Sequence, residues 1–133
     1  MSHTFTHEDF ENATYYDVSN EISFNQHHAT VLGFDKAKRW SQKCFVPPAI
    51  TGLHNGDAIK AFMDNGIICG VGDNTRPVLR NPQNQHWPLV TTVDGNGFAG
   101  FTIIPRWATR IWYDVYDPFR GCIFLIVEGR KRS

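Results

Sequence analysis

DAIKAFMDNGIICGV, at residues 57–71, is the stretch that predicts the fold class. Its first half predicts a helix with Asp57 as the N-cap. Three apolar side chains form the inward face of that helix: Ile59, Phe62 and Met63. The helix ends before Gly66, and residues 67–71 follow as a continuous apolar run. Since such a run directly after a helix is typical of a buried parallel strand, we expect an α/β domain.

The composition limits the possible functions. The 133-residue chain of 15.2 kDa is about one domain long, and 41% of its residues are hydrophobic, so a globular domain is expected. Thirteen basic residues balance thirteen acidic ones, which argues against nucleic acid or an anionic membrane as a partner. The longest apolar run, residues 122–127, is far shorter than the roughly 20 residues of a membrane span. The N-terminus lacks the basic and then apolar pattern of a secretory signal peptide.

Another helix is predicted nearer the N-terminus, over residues 15–32. Thr14 fits its N-cap position, and Asp17 in the first turn interacts favourably with the helix dipole. Gly33 stands where a C-cap glycine is expected. Its apolar side chains recur at helical spacing on one face: Tyr15, Val18, Ile22, Ala29 and Leu32. A short helical extension is expected over residues 35–42.

The second half of the chain is rich in β-forming residues. Residues 89–93 and 98–104 flank the turn sequence DGNG at 94–97, so we expect a β-hairpin inserted in the α/β domain. Residues 122–127 predict a further buried strand because they are continuously apolar.

The three cysteines, Cys44, Cys69 and Cys122, leave two alternatives open. Their number is odd and no C-x-x-C pair occurs, so a zinc site built from cysteines is not indicated. Three part-buried thiols are the favoured interpretation. One disulfide with one free thiol is the alternative.

Two histidines near the start of the chain are the candidate metal ligands. His3 and His7 are spaced so that a helical turn or tight loop would bring their imidazoles to one side. Two neutral imidazoles can hold a divalent metal at about 2.0–2.1 Å. A metal that activates water also needs a third ligand, usually a carboxylate, and an open position. Such a pair also arises by chance, so the spacing alone does not decide between a site and an accident.

The sequence around this pair resembles a known family. HTFTH at residues 3–7 is similar to the metal-binding His-[Ser/Thr]-x-x-His motif of polysaccharide deacetylases of the NodB-homology type. Longer blocks are similar to one branch, the fungal galactosaminogalactan deacetylases, which are secreted carbohydrate esterases. The blocks are HTFTHEDFENATYYDVSNEISFNQ at 3–26, PPAITGLHNGDAIKA at 47–61, VGDNTRPVLR at 71–80 and IPRWAT at 104–109. The resemblance extends over residues 3–116.

The resemblance implies a distorted (β/α) barrel and a metal-dependent hydrolase that removes N-acetyl groups from amino sugars of a cell-wall or secreted polysaccharide. His3 and His7 match the metal ligands, with zinc or another divalent metal as the cofactor. Asp73 matches the aspartate that orients the catalytic histidine, and it follows the predicted strand at 67–71, where catalytic groups of a barrel lie. Five positions are candidate substrate-binding residues: Pro48, His54, Arg76, Arg106 and Trp107. Val46 stands where the family often has an arginine. Arg76 or Arg106 could take the place of that missing arginine.

The same resemblance implies an incomplete enzyme. The family takes its catalytic base and third metal ligand from an aspartate motif upstream of the histidine pair, and its acid histidine from a late motif. Only two residues precede His3, and no histidine follows His86. We therefore expect a partial deacetylase domain at residues 1–119, truncated and impaired, with a divergent tail at 120–133.

A second hypothesis treats the chain as a non-catalytic carbohydrate-binding remnant or an inactive gene fragment. Aromatic side chains could stack on sugar rings in that case: Trp107, Trp112, Tyr113 and Tyr116. Under either hypothesis the partner is an N-acetylated amino-sugar polysaccharide, and the resemblance implies an extracellular or cell-wall location.

Overall fold

Parallel strand pairing organises the fold, which is described by a computed structural model over residues 2–106. The elements in chain order are α1 Tyr15–Val31, β1 Cys44–Phe45, α2 Gly56–Asp64, β2 Cys69–Val71, β3 Leu89–Val90, α3 Val93–Asn96 and β4 Thr102–Ile104. The strand order in the sheet is β1-β2-β4-β3, with β1, β2 and β4 parallel and β3 antiparallel to β4. The predicted α/β class is therefore confirmed. Whether the sheet continues into a barrel stays a prediction.

The helix and the strand predicted for residues 57–71 form as α2 and β2, while β1 was not predicted. The N-cap of α2 is Asn55 rather than Asp57, because the Asn55 side chain accepts hydrogen bonds from the backbone N–H groups of Asp57 and Ala58. Gly66, at φ 80°, ends the helix in the left-handed conformation that favours glycine. The strand after it is shorter than expected, since β2 begins at Cys69 and the side chain of Ile68 is exposed.

The bounds predicted for α1 are confirmed to within one residue. Thr14 and Asp17 form a reciprocal capping box at its start, and Gly33 adopts φ 75° after its end. Leu32 was expected on the inward face but is 64% exposed, because it is the C-cap residue beyond the last turn. The expected extension at 35–42 is reduced to one 3-10 turn, Phe34–Lys36.

One hydrophobic core joins α1, α2 and the sheet. Its largest fully buried side chains come from all three layers and from the loops between them: Phe10, Ile22, Phe45, Leu53, Ile59, Phe62, Phe101 and Ile103. Phe62 lies at the centre of this core, with its ring centroid 4.6 Å from that of Phe45 and 5.8 Å from that of Phe101. Within residues 2–106, no helix has the length and apolar character needed to cross a bilayer.

The expected β-hairpin is only partly present. Strands β3 and β4 pair antiparallel, but residues 93–96 wind into α3 instead of making a tight turn. The Thr92 side chain caps α3 by accepting a hydrogen bond from the N–H of Gly95, and Gly97 closes it at φ 81°. The buried Asn96 amide donates to the carbonyl of Leu53 at 3.2 Å, which ties this connection to the interior.

The cysteines of the first two strands are joined. Cys44 and Cys69 are register partners in the parallel β1–β2 pair and form a disulfide, with their Cα atoms 4.6 Å apart. The favoured prediction of three free thiols is therefore wrong, because strand pairing brings two of them within bonding distance. Cys122, the strand predicted at 122–127 and the domain boundary at 119/120 lie outside the described residues.

Candidate active site

The carboxyl ends of the parallel strands meet at one edge of the sheet, and three of the eight predicted site residues lie there: His3, Asp73 and Arg106. The start of the chain joins the sheet through a parallel bridge between Ser2 and Phe45, so His3 follows it onto this edge. Asp73 comes directly after β2, and Arg106 directly after β4. Residues far apart in sequence are thus placed at what we call the carboxyl edge, where catalytic groups of α/β folds collect.

The two candidate metal ligands come together in a loop. The ring centroids of His3 and His7 are 5.0 Å apart, with their planes at 63°. His7 has φ 63°, a conformation that residues other than glycine adopt rarely and that recurs at functional sites. Both side chains are exposed, so a cation could reach them from solvent.

The hydrogen bonding of His3 leaves its outer nitrogen available. Its Nδ1 atom lies 2.5 Å from the carbonyl oxygen of Val46. Because a carbonyl oxygen only accepts, Nδ1 must carry the proton, and the lone pair of the neutral ring is then on Nε2. Metal-binding histidines usually make such a bond with the nitrogen that does not bind the metal.

A divalent cation fits these two rings as part of a ligand set. One nitrogen from each ring on a tetrahedral zinc would hold the ring centroids about 5 Å apart, as observed for His3 and His7. Among residues 2–106, no group of three or more His, Cys, Asp or Glu side chains is placed to hold a metal. The described residues therefore offer two candidate ligands, His3 and His7, and the binding of a metal by them stays a prediction.

Two polar residues of α1 hold the histidine loop, and the sequence analysis did not identify them. The Asn25 amide donates to the Ser2 hydroxyl at 2.6 Å and to the His3 carbonyl at 2.7 Å. The Glu21 carboxylate accepts from the backbone N–H and from the hydroxyl of Thr6, the latter at 3.0 Å. Both lie at helical spacing from Val18 on the otherwise apolar face, and this break in the pattern was the available signal.

Asp73 is held in a tight turn at the carboxyl edge. Its Oδ1 atom accepts a hydrogen bond from the N–H of Thr75 at 2.8 Å, and its side chain is half-buried. The N–H of Asn74 donates to the carbonyl of Arg106 at 3.1 Å, so the segments that follow β2 and β4 run side by side. The structure thus brings Asp73 and Arg106 to one place, while the proposed role of Asp73 in orienting a histidine stays a prediction.

Arg76 supports the segment that contains the prolines. Its guanidinium donates to the carbonyl of Ile50 at 2.9 Å and to that of Ala49 at 3.2 Å. Ala49 and Ile50 both have positive φ, at 47° and 60°, in the turn that begins at Pro48. Arg76 therefore holds a strained backbone beside the carboxyl edge. This contact was not foreseen, and the substrate-binding roles of Arg76 and Pro48 stay predictions.

The remaining predicted residues contribute less to the described site. His54 is exposed and borders, with Arg76 and Glu11, a cavity of about 20 Å³, which has room for about one water molecule. Arg106 is exposed at the carboxyl edge. Trp107 and the aromatic residues after it lie outside the described residues.

Comparison with known proteins relates this chain to carbohydrate deacetylases. The Agd3 deacetylase domain family matches residues 1–122. The crystal structure of Agd3, a novel carbohydrate deacetylase, superposes with a TM-score of 0.82 at 56% sequence identity. That alignment covers 96% of this chain but 19% of the Agd3 chain, so this chain spans about a fifth of that protein. No curated protein matches. The chain belongs to the Agd3 deacetylase domain family.

Proposed function

We propose that this chain functions in the metal-dependent removal of N-acetyl groups from amino sugars of a cell-wall or secreted polysaccharide. Family membership and the likeness to a carbohydrate deacetylase support deacetylation of a carbohydrate. The observation that carries the proposal is the convergence of His3 and His7, with one nitrogen of His3 already committed to Val46. Two such rings at the edge of a parallel sheet form part of a metal site that could serve amide hydrolysis.

Each residue of the edge has a role in this proposal. Zinc, or another divalent metal held by His3 and His7, would polarise the acetamide carbonyl and make a water molecule acidic enough to react near neutral pH. The carbonyl of Val46 keeps the ring of His3 in the required tautomer. Asp73 would orient a histidine that donates a proton to the leaving amine. The proline turn and Arg106 would border the groove for the sugar chain.

The finer features of the resemblance belong to the same proposal. We propose a fungal, NodB-like deacetylase on the sequence resemblance described above. The parallel β1–α2–β2 unit supports the barrel part of this proposal, because (β/α) barrels are built from such strand–helix–strand units. We also propose that the protein acts outside the cell. The Cys44–Cys69 disulfide supports this location, since disulfides form and persist in oxidising compartments.

An acetate-release assay tests the proposal. The chain is incubated with added zinc and N-acetylglucosamine or N-acetylgalactosamine oligosaccharides, beside a His3→Ala/His7→Ala variant and a His27→Ala control. His27 is exposed on α1, so its loss controls for zinc bound by surface imidazoles. We expect slow release that needs zinc, is retained by the control and is lost in the double variant. Equal acetate release by the parent and the double variant would refute the catalytic proposal. If the protein then still bound the oligosaccharide, a carbohydrate-binding protein would be favoured.

A further inference from the structure

The backbone of the histidine loop, residues 2–7, is hydrogen-bonded to one helix at two points. At the first point, the Asn25 amide bridges the Ser2 hydroxyl and the carbonyl of His3, at 2.6 and 2.7 Å. The hydroxyl of Ser2 also donates to that carbonyl at 3.1 Å. The side chain of Asn25 is half-buried. The backbone position of His3 therefore depends on a side chain of α1.

The second point lies on the other side of Phe5. Glu21 is only 7% exposed, and its Oε1 atom accepts from both the N–H and the hydroxyl of Thr6. Thr6 immediately precedes His7, whose backbone has φ 63°. A buried carboxylate is costly unless it is hydrogen-bonded, so this pair of bonds stabilises Glu21 as well as the loop. The same bonds fix the backbone from which the imidazole of His7 projects.

The two supporting residues are one helical turn apart. Glu21 and Asn25 are at i and i+4 on α1, so they lie on one face and move as a unit. Between their contacts, the ring of Phe5 meets the ring of Phe24 edge to face, with centroids 4.7 Å apart. The helix itself is fixed to the core by its buried side chains Val18 and Ile22 and by its packing on α2. The helix therefore restrains the backbone of the loop next to both histidines.

The proposal gives Glu21 a positioning role and not that of a metal ligand. Its Oε1 atom accepts two hydrogen bonds from Thr6, and it belongs to no group of three metal-ligating side chains within residues 2–106. A residue that holds a ligand's backbone, and not the metal, changes affinity by fixing the ligand's position. Loss of such outer partners typically weakens metal binding by about 10–100-fold.

We propose that Glu21 and Asn25 are positioning residues that set the separation of His3 and His7 for one divalent cation. This inference rests on the proposed function, because it assumes that the two imidazoles bind metal. According to this inference, the relative position of the two imidazoles is set by helix α1 and not by the loop alone. Asn25 fixes the backbone of His3, and Glu21 fixes the backbone next to His7.

Near-isosteric variants separate positioning from folding. Asn25→Asp keeps the shape of the side chain but replaces both donors with a carboxylate that repels the carbonyl of His3. Asn20→Asp introduces the same change at an exposed position of α1 and is the matched control. Glu21→Ala removes the acceptor for Thr6, while Glu21→Gln keeps an acceptor oxygen and serves as the conservative rescue. Thermal unfolding shows which variants fold; if Glu21→Ala does not, the comparison of Asn25→Asp with Asn20→Asp stands alone.

Two measurements are made on each folded variant. Zinc titration by calorimetry should show affinity reduced by about tenfold or more in Asn25→Asp and Glu21→Ala. Asn20→Asp and Glu21→Gln should stay within about threefold of the parent. Nitrogen NMR of the metal-free histidine rings is the second readout, because it reports the protonated Nδ1 of His3 with no metal present. We expect this signal to change in Asn25→Asp and to persist in Asn20→Asp.

The two readouts distinguish failure of this inference from failure of the proposed function. If the parent binds no zinc, the proposed metal site is wrong, and the ring signals still test whether α1 positions the loop. If Asn25→Asp leaves both the zinc affinity and the His3 signal at parent values, the positioning role is overturned. If Asn25→Asp changes the ring signal of His3 but leaves the zinc affinity unchanged, zinc binding does not depend on the position that Asn25 gives to His3. The inference then also fails.

Discussion

The Nδ1 atom of His3 lies 2.5 Å from the carbonyl oxygen of Val46, the residue that directly follows β1. In return, the N–H of Val46 donates to the carbonyl of Ser2 at 3.0 Å. These two bonds join the start of the chain to the carboxyl end of β1, the first strand in the sheet order. His3, a proposed metal ligand, is thus anchored to the sheet on one side and to α1 on the other, and neither anchor is near it in sequence.

The disulfide between Cys44 and Cys69 should be a main source of stability. It closes a sequence separation of 25 residues, for which chain entropy alone gives about 3 kcal/mol. We expect the double variant Cys44→Ser/Cys69→Ser to lower the free energy of unfolding by roughly 2–4 kcal/mol in urea denaturation. Adding a thiol reductant should destabilise the parent similarly and leave the double variant unaffected. Equal stability of the oxidised parent and the double variant contradicts this account.

Arg76 should stabilise the turn that follows β1. Its guanidinium donates to the carbonyls of Ala49 and Ile50, and hydrogen bonds to charged groups contribute about 1.5–3 kcal/mol each. Since Arg76 is half-buried, we expect Arg76→Ala to cost about 2 kcal/mol of unfolding free energy. Arg39→Ala, at an exposed position, is the matched control and should change stability by less than about 0.5 kcal/mol. Equal effects of the two substitutions would contradict the role of Arg76.

A surface cluster between α1 and α2 should make stability depend on pH. Asp64 accepts hydrogen bonds from Lys60 at 2.6 Å and from the Tyr15 hydroxyl at 3.0 Å, and Lys60 also lies over the ring of Tyr15. The bond from Lys60, followed by that from Tyr15, lowers the pKa of Asp64 below its ordinary value of 3.8. A lowered folded-state pKa stabilises the fold above the unfolded pKa, and this contribution is lost as the pH falls through the folded pKa.

Asp64→Asn should therefore unfold at a lower temperature than the parent near neutral pH, and the difference should shrink as the pH falls below 3.8 and through the lowered folded-state pKa of Asp64. Because the charged pair, Lys60 and Asp64, is exposed, the effect should be small and should weaken in about 1 M salt. Glu8→Gln removes an exposed carboxylate elsewhere and is the control for net charge. A thermal unfolding difference that persists below the folded pKa of Asp64 would show that packing, and not its charge, is responsible.

Local patterns in the sequence predicted the elements that local interactions determine. The ends of α1 followed from Thr14, Asp17 and Gly33, because capping boxes and left-handed glycines act within a few residues. The continuous apolar run after α2 correctly indicated parallel pairing, although β2 includes only its last three residues. The position of Asp73 at the carboxyl edge followed from the same pattern.

Long-range contacts produced the features that the sequence did not predict. The disulfide depends on the register between β1 and β2, which no local pattern encodes. The turn expected at 94–97 became α3 because Asn96 finds a buried acceptor at Leu53, far away in sequence. Glu21 and Asn25 interrupted an apolar helix face, yet their partners in the histidine loop became visible only in the folded chain.

The central claim is that His3 and His7 bind the same cation. A zinc titration of four proteins tests this claim most directly. Calorimetry is performed on the parent, His3→Ala, His7→Ala and the double variant. If both rings bind the same ion, the parent takes up one zinc, each single variant loses most of the affinity, and the double variant is little worse than either, because the effects of coupled ligands are not additive. Single variants that each keep parent-like affinity, or free-energy losses that simply add in the double variant, would contradict the claim.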